Sequence, residues 1–371
     1  MNWQRWTFRI LDTCFFRGGL PYNAGEGGFT TVQGTFPPYM TTLQGAVRTA
    51  LAWEQGWSPE GGDSWPALLG GADDIGSLCL RGPYLVLEDQ EDEPLFRMPF
   101  VLLEKAGNFV RLVPGEPVEC DLGLVRLPKP ARTLKGAALP EDTYVSLSGL
   151  VDVLKGGVPG QNEVWYKREL WAEEPRVGLA LEDSTRTART GMLYSITHVR
   201  PERKLRLVVL VAGVPDTWDL VSRRVGWLGG EGRLVEIEVQ NVDDPLKFLP
   251  YPPDLSPGPD GILRFTVTLI TPGYYPYESL PEVIRGGPPG VPGHCVSACI
   301  GRAERVGGWD LKNGQPRPLE PLLPAGSTWF YEAEAADLEA VRGLHGSCLG
   351  DKAVFGFGQV LIGRWMEEGS R

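Results

Sequence analysis

At 371 residues, with 42% hydrophobic and 10% aromatic residues, the chain holds more apolar material than one core usually serves, so two domains are expected; no run of eighteen apolar residues is present to span a bilayer. The net charge of -11 excludes a uniformly basic nucleic-acid binder, because phosphate contacts need arginine and lysine at the surface. The six cysteines (Cys14, Cys79, Cys120, Cys295, Cys299 and Cys348) are scattered like buried thiols, and Met1 to Leu11 lacks the apolar run of a secretory signal, so a cytoplasmic location is expected.

In chain order, strand-like runs fall at residues 6–12, 84–88, 100–103, 176–181, 205–211, 234–239, 263–269 and 354–362. Helical spacing is expected over 42–54, 147–155 and 333–344. In the first helix Leu43, Ala46, Val47, Ala50 and Leu51 form one apolar stripe, and Thr41 with Gln44 fits a capping box after Pro37 and Pro38. Gln44 and Arg48 then project together from its polar side. Glycine (48) and proline (33) concentrate at 248–261, 286–293 and 314–326, which read as long ordered loops. The mixture predicts an α+β protein with antiparallel sheets. The domain boundary is expected near Ala212 and Gly213, giving domains 1–212 and 213–371.

Charge is uneven along the chain. From Ser184 to Arg206 there are five arginines and one lysine against the single acid Glu202, a local +5. Arg186 and Arg189 in a loop suit bidentate phosphate contacts, Tyr194 offers a stacking face, and too few acids lie nearby in the sequence to pair these cations.

The common catalytic signatures are missing: no Walker A motif, HExxH, GxSxG elbow or dinucleotide fingerprint occurs. In Gly70 to Asp74 (GGADD) an extra alanine separates the glycines from the paired aspartates expected of a metal-binding palm, so an acidic turn is the reading. Gly62-Asp63-Ser64 reads as a turn. His294, Cys295 and Cys299 are three possible zinc ligands, with Cys348 or His345 as the candidate fourth across the domain, but no recognisable second pair accompanies them, so buried thiols are expected and no metal or other cofactor. His198, among Arg189, Tyr194 and Arg200, is the one histidine placed to act as a base on RNA; a histidine adding donors to an RNA surface is the favoured reading.

Three blocks in order along the chain resemble the RAMP superfamily, and within it the third subunit of the type III-B CRISPR (Cmr) assembly. The first runs Leu11-Asp12-Thr13-Cys14-Phe15-Phe16-Arg17, Ala24-Gly25-Glu26, Phe36-Pro37-Pro38 and Thr42 to Leu51. The second is Arg176 to Leu179 with Asp183 and Thr185 to Tyr194. The third comprises Trp227 to Arg233 and the C-terminal Gly356-Phe357-Gly358-Gln359-Val360-Leu361-Ile362-Gly363, which is similar to the glycine-rich loop of that superfamily.

The resemblance implies two tandem ferredoxin-like (RRM-like) domains with long Gly/Pro-rich insertions. It implies a non-catalytic subunit that holds the 5′ repeat tag of the CRISPR RNA at the base of the complex, beside the large palm-domain subunit and the first backbone RAMP subunit. RNA contacts are expected at Arg17, Gln44, Arg48, Arg186, Arg189, Thr190, Tyr194, Arg224 and Arg233, with backbone approach at Gly356, Gly358 and Gly363. No catalytic residue, metal or membrane contact is expected. Two alternatives share the fold: an endoribonuclease that matures CRISPR RNA, and a purely scaffolding subunit.

Overall fold

The first helix shows how the sequence builds the fold. In the computed structural model, which describes residues 2–18, 31–32, 34–88, 93–120, 123–310 and 314–365, it spans Met40–Glu54. Leu43, Val47 and Leu51 are fully buried, and each contributes about 2 kcal/mol of hydrophobic stabilisation. Its N-cap is Tyr39, without a side-chain cap, so Thr41 lies inside the helix and the expected capping box does not form. Instead Gln44 Nε2 donates to the Thr41 carbonyl at 2.9 Å.

The helix covers a sheet in which Trp3–Ile10 lies antiparallel between Leu205–Ala212 and Leu234–Val242. Trp6 stands opposite Val209 on one side and Val239 on the other. Eight strands make this sheet, in the order Arg223–Trp227, Leu234–Val242, Trp3–Ile10, Leu205–Ala212, Cys79–Leu87, Pro94–Arg97, Thr143–Val145, Val164–Tyr166. It therefore takes strands from both sides of Ala212 and Gly213. Alternation along the strands sorts two faces. Trp6, Phe8, Leu85, Leu207 and Val209 join the core under the helix, while Tyr84, Val86, Val208 and Leu210 join a second core with Phe330, Leu361 and Trp365.

A four-stranded antiparallel sheet in the order His294–Cys299, Thr328–Glu334, Ile262–Leu269, Val360–Arg364 forms the other half. Short helices at Leu280–Gly286 and Leu338–Gly343 bury Leu280, Val283 and Val341 against it. The expected helix over 333–344 is shorter because the strand runs on to Glu334, its alternating Trp329, Phe330 and Tyr331 all buried, before a turn at Ala335–Asp337. The expected strand over 354–362 starts only at Val360, since Gly356 and Gly358 take φ of 91° and 70° and break extended geometry. Helix Leu147–Leu154 forms as expected, its N-terminus capped by the Ser146 hydroxyl, which accepts from the Gly149 amide at 3.1 Å.

A thread of hydrogen bonds joins the halves. Tyr84 Oη donates to Gln359 Oε1 at 2.6 Å, Gln359 Nε2 donates to the Gly346 carbonyl at 3.1 Å, and the Gln359 amide donates to Thr271 Oγ1 at 2.9 Å. All three side chains are buried. Two hairpins extend from the body: Trp171–Leu181 with Ala188–Pro201, and Asn108–Cys120 with Gly123–Pro130.

Candidate nucleic-acid interface

The arginine-bearing segment forms the hairpin that its sequence suggests. Strand Trp171–Leu181 pairs with Ala188–Pro201, placing Gly178 opposite Tyr194. The loop between them is closed by Glu182, whose amide donates to the Thr187 carbonyl at 2.9 Å and whose carbonyl accepts from the Arg186 amide at 2.8 Å. Arg186 has φ of 56°, in the left-handed region, and its side chain is exposed with no ion pair among the described residues. Arg189, Thr190 and Tyr194 lie on the return strand, where only the backbone is described.

At the base of the hairpin Arg200, Arg176 and Arg233 are met by Asp12 and Glu174, acids outside the segment 184–206, while Arg203 is exposed with no ion pair among the described residues. Arg200 donates to Asp12 at 2.7 Å and to Glu174 at 2.8 Å. Arg176 also bonds Glu174, at 2.5 Å. Arg233 lies 3.7 Å from Asp12. The Arg200 hydrogen bond holds the Asp12 carboxyl below the usual carboxylate range, and Arg176 with Arg200 does the same to Glu174. Arg206 is paired with Glu88.

His198 is 1% exposed, stacks on Phe15 at 5.5 Å, and places Nδ1 3.2 Å from Thr13 Oγ1. Burial, then Arg176 and Arg233, hold its pKa below the ordinary histidine value, so the ring is neutral at pH 7.

The remaining sequence-predicted residues are dispersed. Arg17 is exposed, bridges the backbone of Gly34, and has no ion pair among the described residues. Arg48 is buried: it donates to Gln44 Oε1 at 2.9 Å and to the Gly71 carbonyl at 2.6 Å, over the ring of Trp65. Arg224 pairs with Glu54, donates to the carbonyls of Ala50 and Val221, and lies over Trp6. Gly356, Gly358 and Gly363 are buried. The Gly356 and Gly358 amides donate to the carbonyls of Ala353 and Pro272. A Cβ on Gly356 would stand 3.1 Å from the Leu80 carbonyl oxygen, and one on Gly363 2.5 Å from Thr266 Oγ1. Gly356 and Gly363 thus let the C-terminal segment approach Leu80 and Leu154 of the first half, whereas Gly358 fits against Leu349 of the second. Ala24, Gly25 and Glu26 lie outside the described residues.

Between the halves, beside Arg17's partner Gly34, opens a cavity of about 320 Å³. Phe36, Tyr39, Tyr84, Phe96 and Tyr144 give it aromatic walls, and Arg97, Lys167 and Glu304 are its charged groups. Tyr39 Oη donates to Glu304 Oε2 at 2.8 Å, and Arg97 donates to Glu304 Oε1 at 3.3 Å. Burial, then Glu304, pushes the Tyr39 hydroxyl well above its ordinary pKa, so it stays a donor. Such a chamber offers stacking faces together with donors and an acceptor, the combination that reads an unstacked base. Tyr39, Arg97, Lys167 and Glu304 were not foreseen, because residues as far apart as 39 and 304 meet only through the packing of the two halves.

Among the described residues no cluster of three or more His, Cys, Asp or Glu side chains is arranged to hold a metal. His294 is exposed and 3.7 Å from Glu332, while burial pushes the Cys295 and Cys299 thiols up to about 11 and about 12. Among the described residues no helix is long and apolar enough to cross a membrane.

No curated protein matches the chain. Among solved structures it is similar to a chain of the type III-B Cmr-beta complex bound to cognate target RNA and AMPPnP, at TM-score 0.49 and 15% identity over 91% of this chain and 88% of that one. It is also similar to a chain of the Csm3–Csm4 subcomplex of the type III-A CRISPR-Cas interference complex, at TM-score 0.40 and 11% identity over 99% and 100%. The family model described as CRISPR-associated protein (Cas_Cmr3) matches residues 6–365. With nearly its whole length matched, this chain belongs to the Cas_Cmr3 family of CRISPR-associated proteins.

Proposed function

We propose that this chain is a non-catalytic, RNA-binding subunit of a type III-B CRISPR effector complex that holds the 5′ repeat tag of the CRISPR RNA. In the assembly it would cap the base, between the large palm-domain subunit and the first backbone subunit. Family membership supports the complex. The two-domain, ferredoxin-like reading is supported by strand order. In the second half the chain runs strand, helix, strand, strand, helix, strand, and the last strand lies beside the first. The first half repeats the strand arrangement, with Leu234–Val242, Trp3–Ile10, Leu205–Ala212 and Cys79–Leu87 side by side, but a strand, Arg223–Trp227, stands where the second helix would be.

One observation carries the RNA assignment. Arg48, Arg200, Arg206 and Arg224 are engaged by protein groups, whereas Arg186 at the hairpin tip and Arg17 beside the interdomain cavity are exposed and have no ion pair among the described residues. Phosphates would meet Arg186, Arg189 and Arg17, Tyr194 would supply a stacking face, and a splayed tag base would enter the cavity against Tyr39, Arg97 and Glu304.

The test is fluorescence anisotropy with a labelled RNA carrying the repeat-derived tag, measured across a salt series. Arg186→Ala with Arg189→Ala is expected to weaken binding roughly tenfold or more and to lower the salt slope by about 1.4, two phosphates at about 0.7 each for a single strand. Unchanged affinity and slope would remove the hairpin from the site. Affinity that does not depend on salt would point to a scaffold, and cleavage of repeat RNA by the purified chain to a nuclease.

A further inference from the structure

A second cavity, of about 640 Å³, opens where residues 2–4, the segment 214–222 and the end of strand Leu234–Val242 meet. Trp3, Trp218, Leu220 and Val239 give it apolar surface, and its only charged lining groups are Asp216 and Asp243. The two tryptophans are half-buried and the two aspartates exposed, so the site has an aromatic floor and an acidic rim. Asn2 Nδ2 donates to Asp216 Oδ1 at 2.8 Å, which ties the segment 214–222 to the start of the chain.

Several carboxylates of this chain are already compensated from within it. Glu54, Glu174, Glu332 and Asp12 are each paired with arginines of this chain. Asp216 and Asp243 have no ion pair among the described residues, and no lysine or arginine lines the cavity.

We propose that this cavity receives one lysine or arginine side chain from a protein partner. The aliphatic stem of such a residue would lie along Leu220, Val239 and the indole rings, with the charged head at the rim carboxylates. Tryptophan is the best aromatic partner for a cation, and Trp3 already carries the Arg81 guanidinium 5.8 Å from its ring centroid. A phosphate is unsuited here, because it would face two carboxylates without a compensating cation. The inference is independent of the tag-binding reading, since its residues are distinct from every group assigned to RNA.

Calorimetric titration of the full chain with the peptide acetyl-Gly-Arg-Gly-Arg-Gly-amide tests it. Saturable binding is expected, falling at least tenfold in the Asp216→Asn/Asp243→Asn variant and again in Trp218→Leu. Tag-RNA affinity should stay within twofold in both variants, and the thermal midpoint of the double-asparagine variant, whose changes are at exposed positions, should stay close to that of the unaltered chain. Equal peptide affinity in the unaltered and double-variant proteins would mean diffuse attraction to an acidic chain and overturns the proposal, as does absence of saturable binding. Displacement of the peptide by an eight-nucleotide RNA would assign the cavity to nucleic acid and overturns it equally.

Discussion

Replacing Arg224 by alanine separates a structural arginine from an RNA-binding one. Its guanidinium pairs with Glu54, and the two side chains are only 14% and 12% exposed. Without it, Glu54 keeps a single donor, the Val221 amide at 3.0 Å, because its Oε2 has no other partner. Removing one member of a buried pair costs about 3 to 5 kcal/mol, and the lost position over Trp6 adds about 0.5 kcal/mol. Residual solvent access at both groups favours the lower end, so about 3 kcal/mol is expected. Urea unfolding followed by tryptophan fluorescence should show the midpoint falling by roughly 1 M if the slope is near 3 kcal/mol/M. Below the transition, affinity for tag RNA should hold within twofold. The joint replacement Glu54→Met with Arg224→Met should cost less than Arg224→Ala alone, since no carboxylate is then stranded. An unchanged midpoint with a tenfold loss of RNA affinity would refute the reasoning and return Arg224 to the RNA surface.

Two further outcomes follow from buried groups. Tyr84→Phe strands Gln359 Oε1 between the halves, so a loss of about 2 kcal/mol is expected in urea unfolding; an unaltered midpoint would show that the thread contributes nothing. Burial pushes Cys14, Cys295, Cys299 and Cys348 up to about 12, 11, 12 and 11. A raised folded pKa means that their contribution is complete below the unfolded value near 9 and is lost as pH rises through the folded values. Between pH 9 and 11 stability should therefore fall by about 1.4 kcal/mol per pH unit for each thiol, and Cys14→Ala should reduce that slope by one such increment.

What was legible in the sequence was what local periodicity controls. The stripe of Leu43, Val47 and Leu51 set the first helix, and the apolar run 205–211 set a strand in which all eight residues of Leu205–Ala212 are buried. Element ends were less legible: a tertiary neighbour decides whether Ala333 continues a strand or begins a helix. The arginine hairpin could be read from composition, but the neutralisation of Arg200 by Asp12, 188 residues away, could not. The glycine turn likewise reads as an open loop until the Leu80 carbonyl is seen beside Gly356. The cavity containing Tyr39 and Glu304 has no sequence signature, since its parts come from both halves.

The strand order has a consequence for synthesis. Ile262–Leu269 has Val360–Arg364 as its neighbour, so it leaves the ribosome some ninety residues ahead of the strand that closes its edge. At about 5 to 20 residues per second this leaves roughly 5 to 18 seconds in which that edge is unpaired. A ribosome pausing between those strands would lengthen that exposure and raise the fraction of chains lost to aggregation, without any change in the finished protein.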